Sequence, residues 1–146
     1  IIMRAITFIL LLSFGLCNSS LAKLAPIPDI SSNNADIDIL RFGDSLTTCS
    51  MASISIRFSF EELPEEFEEQ AFDLAGSYYQ AAQLAYNVVL KPERANQRIK
   101  LKANIFLGKA DQMLKKNPNF LNLLFIECLQ TYPKPQDLVD YFELEL

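Results

Sequence analysis

The sequence predicts a mainly α fold, an antiparallel bundle of four to five helices that follows a cleaved signal peptide. Half of the 146 residues are apolar, which is enough for a packed core. The chain has only four Gly and seven Pro, and the Pro cluster outside the long segments with helical periodicity. Only one segment alternates with the period of a strand, so a sheet has no second strand to pair with.

The first 22 residues have the pattern of a secretory signal peptide. From Met3, the basic Arg4 precedes an apolar run over residues 5–16, and the small Ser20 and Ala22 suit signal peptidase. We therefore predict cleavage after Ala22 and a periplasmic or secreted protein. The apolar run is shorter than the ~20 residues that span a bilayer, so we expect no stable membrane span in the mature chain.

The mature chain keeps two of the three cysteines, Cys49 and Cys128. Cys17 leaves with the signal peptide, and the bulky Leu16 before it disfavours a lipidation site. An even number of cysteines in an oxidising compartment predicts one disulfide between Cys49 and Cys128. The alternative is a pair of buried free thiols.

The mature chain divides into a linker, residues 23–35, and a helical bundle domain, residues 36–146. Apolar residues at spacings of three and four predict helices over 36–60, 64–90, 93–116 and 117–132, with a short last helix over 137–146. Residues 52–60 also alternate as a strand would, but the helix is favoured. Asn117 and Pro118 suit a cap and a first turn, which places the start of the fourth helix there.

Composition excludes several kinds of chemistry. The chain has no His, which removes Ser–His and Cys–His nucleophile pairs, His-ligated zinc and the usual general base. With 13 basic and 18 acidic residues the net charge is −5, which disfavours nucleic-acid binding. We expect no enzymatic activity, no cofactor and no metal site.

Five side chains are candidates for binding a protein partner. Three cations lie early in the third helix, where the helix dipole disfavours positive charge, and two tyrosines lie on the flanks of the second helix, where exposure would favour an interface. These candidates are Arg94, Arg98, Lys102, Tyr79 and Tyr86.

These features predict a non-enzymatic protein-interaction or accessory module of the cell envelope. The alternative is a carrier for an apolar small molecule, with a pocket between the first, second and fourth helices lined by Phe60, Leu74 and Phe125.

Three resemblances accompany this interpretation. The pattern Ala71, Leu74, Ala75 and Tyr78 resembles the first helix of a tetratricopeptide repeat, although Asn87 occupies a later Ala position of that repeat. The second and third helices together resemble the microtubule-interacting and transport domain, a cytosolic three-helix bundle.

The chain also resembles small exported proteobacterial proteins with one Cys in a first helix, an Ala-rich second helix and a late Glu-Cys-Leu sequence, here Glu127-Cys128-Leu129. That resemblance implies a disulfide-stapled helical fold and no known activity.

Overall fold

The computed structural model describes residues 23–59 and 65–145, and in these ranges the chain forms helices and no strands. The predicted signal peptide and residues 60–64 lie outside the described residues, as does Leu146. The mainly α bundle is therefore confirmed. The five helices are α1 (Ala35–Ser59), α2 (Glu65–Val89), α3 (Pro92–Lys116), α4 (Phe120–Thr131) and α5 (Pro135–Glu145). None of them is long and apolar enough to cross a membrane.

The most extensive contact in the fold is between α1 and α2. Small side chains on the inner face of α2 let the helices approach closely, and Ala71, Ala75 and Ala82 are almost fully buried. The Ser50 hydroxyl of α1 donates to the Ala75 carbonyl of α2 over 2.8 Å. Tyr86, later in α2, contacts the earlier part of α1, so the two helices run antiparallel.

The helical interpretation of residues 52–59 is confirmed, because α1 continues to Ser59. Phe60, the last residue of the predicted helix, lies outside the described residues. Apolar residues recur every three or four positions along α1. Ser53 is the one polar residue in this series; it is fully buried, and its hydroxyl donates to the Cys49 carbonyl at 2.8 Å. This bond within the helix satisfies the hydroxyl and so allows Ser53 to lie in the core.

The fourth helix begins later than the sequence predicts. The Asn117 backbone N–H bonds back to the Met113 carbonyl, so Asn117 ends α3 instead of beginning α4. The Asn117 side chain accepts from the Asn119 N–H at 3.0 Å, and this turn holds Pro118 outside the helix. The prediction that Pro118 lies in the first turn is therefore wrong, because the Asn side chain caps a turn that precedes α4.

Aromatic rings and the disulfide connect α4 and α5 to α1 and α2. Cys49 and Cys128 are bonded, with Cα atoms 5.6 Å apart and 79 positions between them in sequence, as predicted. Phe42 packs edge-on against Tyr132 and also contacts Phe142 of α5. Because Phe42 and Phe142 are fully buried, the C-terminal helix covers the core.

The Tyr78 hydroxyl satisfies backbone carbonyls at the end of α4. It donates to the Cys128 carbonyl at 3.2 Å and to the Tyr132 carbonyl at 2.9 Å. The Cys128 carbonyl also accepts the Tyr132 backbone N–H, so the buried tyrosine adds to this backbone cap and attaches the C-terminal end of α4 to α2.

Residues 23–30, which we call the strap, pack against the helices although the sequence predicts a linker. Leu24 is buried. The Ala25 N–H donates to the Ser45 hydroxyl at 2.9 Å, and the Tyr132 hydroxyl donates to the Ala25 carbonyl. Burial raises the pKa of Tyr132 to about 12, so its hydroxyl remains a proton donor at neutral pH.

Candidate ligand-binding groove

A groove of about 730 Å³ lies between the strap, α1, α3 and the first half of α4. Its volume falls within the roughly 300–1,000 Å³ of small-molecule sites. Most of its apolar lining comes from the strap, the second half of α3 and the start of α4. These apolar residues are Leu24, Ile27, Ile105, Phe106, Ala110, Met113, Phe120 and Leu124.

The mouth of the groove carries apolar side chains that solvent reaches. Ile27 of the strap is 56% exposed and Ile105 of α3 is 40% exposed, whereas Phe106, the neighbour of Ile105, is buried. Exposed apolar surface that borders a concavity is typical of a binding site. The groove therefore has a buried apolar wall and a rim that is apolar at Ile27 and Ile105.

One border of the groove is a polar group that we call the Asp44 cluster: Asp44 of α1, Tyr86 of α2, and Arg98 and Lys102 of α3. Arg98 donates to both carboxylate oxygens of Asp44, each at 2.8 Å. The Tyr86 hydroxyl donates to Asp44 Oδ1 at 2.6 Å, and Lys102 Nζ lies 3.1 Å from Oδ2. Three helices thus meet at one carboxylate.

The electrostatics of the cluster favour the charged form of Asp44. Burial alone would raise the pKa of this carboxyl, but hydrogen bonds from Arg98, Tyr86 and Lys102 lower the pKa below its usual range. Burial and the bond to Asp44 raise the pKa of Tyr86, so Tyr86 remains a neutral donor. Asp44 and Lys102 also line the groove, so the cluster joins the helix packing to the candidate site.

The Tyr86 ring lies directly against the backbone of α1. A Cβ placed on Gly43 would stand 2.4 Å from Tyr86 Cε1, so only glycine fits at this position without displacing the ring. The ring also faces Arg98, whose guanidinium carbon is 5.8 Å from the ring centroid, within cation–π range. Gly43 and Arg98 therefore fix the position of Tyr86.

The structure brings together three of the five predicted partner-binding residues. Arg98, Lys102 and Tyr86 meet at Asp44, and Tyr86 is fully buried. Arg94 is exposed on α3, and Tyr79 is 44% exposed on α2.

Sequence reasoning did not single out Asp44. The signal available was its position as the only charged residue between Arg41 and Arg57 in an otherwise uncharged stretch of α1.

The groove does not have the lining that the sequence predicts for a carrier pocket. Leu74 lines a different cavity, of about 490 Å³, between α2 and the start of α5. Phe125 is buried and does not line the groove, and Phe60 lies outside the described residues. The close approach of α1 and α2 leaves the space beside α3 instead. The second cavity is smaller and more open to solvent than the groove, so it encloses an apolar ligand less well.

Comparisons with protein-family models, curated proteins and solved structures find no match to this chain. The site is therefore interpreted from its own geometry. Within the described ranges, no group of three or more acidic or cysteine side chains is arranged to hold a metal ion.

Proposed function

We propose that this protein is an exported, non-enzymatic binding protein that holds the apolar chain of a small amphipathic molecule in the groove beside α3. The observation that carries the proposal is the groove itself, with its volume of about 730 Å³ and its wall of Leu24, Phe106, Met113, Phe120 and Leu124. Apolar surface removed from water stabilises a complex by ~25 cal/mol per Å².

The groove is held open by contacts that do not require a ligand. The strap is fixed by both backbone groups of Ala25, and the Asp44 cluster ties α3 to α1. A site formed before binding avoids the ordering cost that weakens association. These contacts support a preformed site for a flexible apolar chain.

Exposed leucines of α3 favour the protein-interaction function less strongly. Leu101 and Leu107 are 57% and 52% exposed and do not line the groove. Scattered exposed apolar residues are common on soluble proteins, whereas a largely apolar concavity of this volume is the usual form of a small-molecule site. The geometry therefore favours the small-molecule carrier over the protein-interaction module.

The proposal is tested with a neutral apolar fluorophore, N-phenylnaphthylamine, whose emission rises in apolar surroundings. Ile105→Asp places a charge at the mouth of the groove, and Leu107→Asp places the same charge on the same helix outside it. We expect Ile105→Asp to weaken binding about tenfold, which corresponds to about 1.4 kcal/mol. Leu107→Asp should bind as the unmodified protein does. Equal affinity in all three proteins, or no binding in any, would contradict the proposal.

Export is the second part of the proposal. It rests on the predicted signal peptide and agrees with a disulfide between two buried cysteines, Cys49 and Cys128, since disulfides persist in oxidising compartments. Intact mass of the natively produced protein, with thiol alkylation before and after reduction, tests it. We expect a chain that begins at Lys23, with two thiols that react only after reduction. A retained N-terminus with free thiols would refute export.

A further inference from the structure

We propose that the molecule in the groove carries an anionic group, a carboxylate or a phosphate, which binds Lys102 at the border formed by the Asp44 cluster. This inference rests on the proposed function, because it assigns the polar end of the same ligand. The relevant feature is an excess of positive charge at one edge of an apolar site.

Lys102 is the surplus cation of the Asp44 cluster. Arg98 already occupies both oxygens of Asp44 with two bonds of 2.8 Å, a bidentate arrangement that compensates the carboxylate. Lys102 adds one longer contact of 3.1 Å to the same carboxylate, and its side chain is 33% exposed. Two cations, Arg98 and Lys102, therefore share the Asp44 carboxylate. Of these two cations, Lys102 lines the groove.

Lys102 is able to turn toward a ligand without leaving a partner unpaired. If its ammonium group moves from Asp44, the carboxylate keeps Arg98 and the Tyr86 hydroxyl, which donates at 2.6 Å. Arg98 has no such freedom, because its departure would remove two of the bonds to Asp44. Burial of an unpaired charge is costly, so Lys102 is the group that suits an anion in the groove.

The other charged residues that line the groove do not cancel the excess of positive charge. Arg41 and Lys109 also line the groove, and neither forms an ion pair within the described ranges. The remaining lining charges are Lys23, Asp29 and Asp38, and the Asp29 carboxylate accepts hydrogen bonds from the backbone and hydroxyl of Ser31.

Four cations and three carboxylates thus line the groove. One of these carboxylates, Asp44, is already paired with Arg98, which does not line the groove. The whole chain has a net charge of −5. A local excess of the opposite sign in an acidic protein attracts an anion to this place.

The test compares four probes that have the same twelve-carbon chain: dodecanoate, dodecyl phosphate, dodecanol and dodecyltrimethylammonium. Affinities are measured by displacement of N-phenylnaphthylamine from the exported protein. Lys102→Met removes the charge and keeps an apolar stem, while Lys100→Met is the matched control, because Lys100 is exposed on the same helix outside the groove. Lys102→Arg keeps the charge. Circular dichroism and urea midpoints verify that each variant is folded.

We expect the two anions to bind about tenfold more tightly than dodecanol, as a charge-assisted hydrogen bond predicts, and this advantage should shrink as salt is added. Lys102→Met should abolish the difference, while Lys100→Met and Lys102→Arg should preserve it. A preference for either anion supports the proposal and identifies the head group.

Equal binding of dodecanoate and dodecanol, or tighter binding of the cation, would overturn the inference and leave the proposed function standing. The same holds if Lys102→Met and Lys100→Met behave alike. Failure of all four probes to bind would instead reject the proposed function.

Discussion

Identical Gly→Ala substitutions in three helices should change stability with opposite signs. At Gly43 the new methyl group would lie 2.4 Å from Tyr86 Cε1 and 2.7 Å from Cδ1, whereas carbon atoms in contact prefer ~3.5–4.0 Å. The ring must therefore move by about 1 Å. Tyr86 is fully buried and its hydroxyl is bonded to Asp44 at 2.6 Å, so this movement disturbs the core and the Asp44 cluster together.

The magnitude follows from two opposing effects. Ala favours a helix interior over Gly by about 1 kcal/mol, while overpacking costs about 1–3 kcal/mol and loss of the hydrogen bond to Asp44 costs about 1–2 kcal/mol. We expect Gly43→Ala to lower the free energy of unfolding by about 1–4 kcal/mol. Gly76→Ala and Gly108→Ala, which meet no atom within 4 Å, should raise it by about 0.5–1 kcal/mol.

The assay is urea unfolding followed by far-ultraviolet circular dichroism, with the disulfide intact. Because all three positions are helical, the helix propensity of Ala changes the stability of each variant by nearly the same amount. The difference in stability between Gly43→Ala and the other two variants therefore reports the contact with Tyr86. If Gly43→Ala stabilises the protein as much as Gly76→Ala does, the close approach of α1 and α2 is refuted.

Three further predictions concern the Asp44 cluster, the disulfide and the strap. Asp44→Asn should lower the free energy of unfolding by about 1–2 kcal/mol at pH 7. The folded state lowers the pKa of Asp44 from 3.8. The stability lost in the variant should therefore be constant above about pH 5, and it should fade as the pH falls below 3.8 and through the folded-state pKa. If urea titrations give the same stability difference between the two proteins at every pH, this prediction is contradicted. The double variant Cys49→Ala/Cys128→Ala should lose about 4 kcal/mol of unfolding free energy in the same assay and keep its helical circular dichroism spectrum. An unchanged urea midpoint would show that the disulfide does not form. Tyr132→Phe removes the donor to the Ala25 carbonyl, so amide exchange at Ala25 should accelerate while exchange in α2 stays unchanged; equal rates in both proteins would mean that the strap is not held there.

Periodicity predicts the helices because each of them buries one face. The stripe through Phe42, Leu46 and Cys49 lies in the core, and the small residues of α2 lie at the close contact with α1. Tyr78 of α2 is also buried, as its position four residues after Leu74 on the apolar face of that helix indicates. The boundary between α3 and α4 escaped prediction, because Asn117 was available both to end one helix and to begin the next, and local sequence does not decide between the two.

The candidate site was less predictable, because it depends on contacts between residues distant in sequence. The sequence singles out Arg98 and Lys102 as cations early in a predicted helix, although both lie beyond its first turn in the structure. Their partner Asp44 lies 54 and 58 positions away. The strap has a composition typical of a linker, and its fixed position depends on Ser45 and Tyr132. No periodicity indicates where helices leave a groove.

Photo-crosslinking shows whether an apolar chain binds between α3, α4 and the strap, as we propose. A dodecanoate carrying a diazirine near the end of its chain is bound to the protein, activated by light and located by mass spectrometry of the peptides. We expect labels within residues 105–113 and 120–124, which contribute the apolar wall, and we expect unlabelled dodecanoate to compete with the labelling. Labels that resist competition, or that lie mainly on the exposed Leu101 and Tyr79, would contradict it.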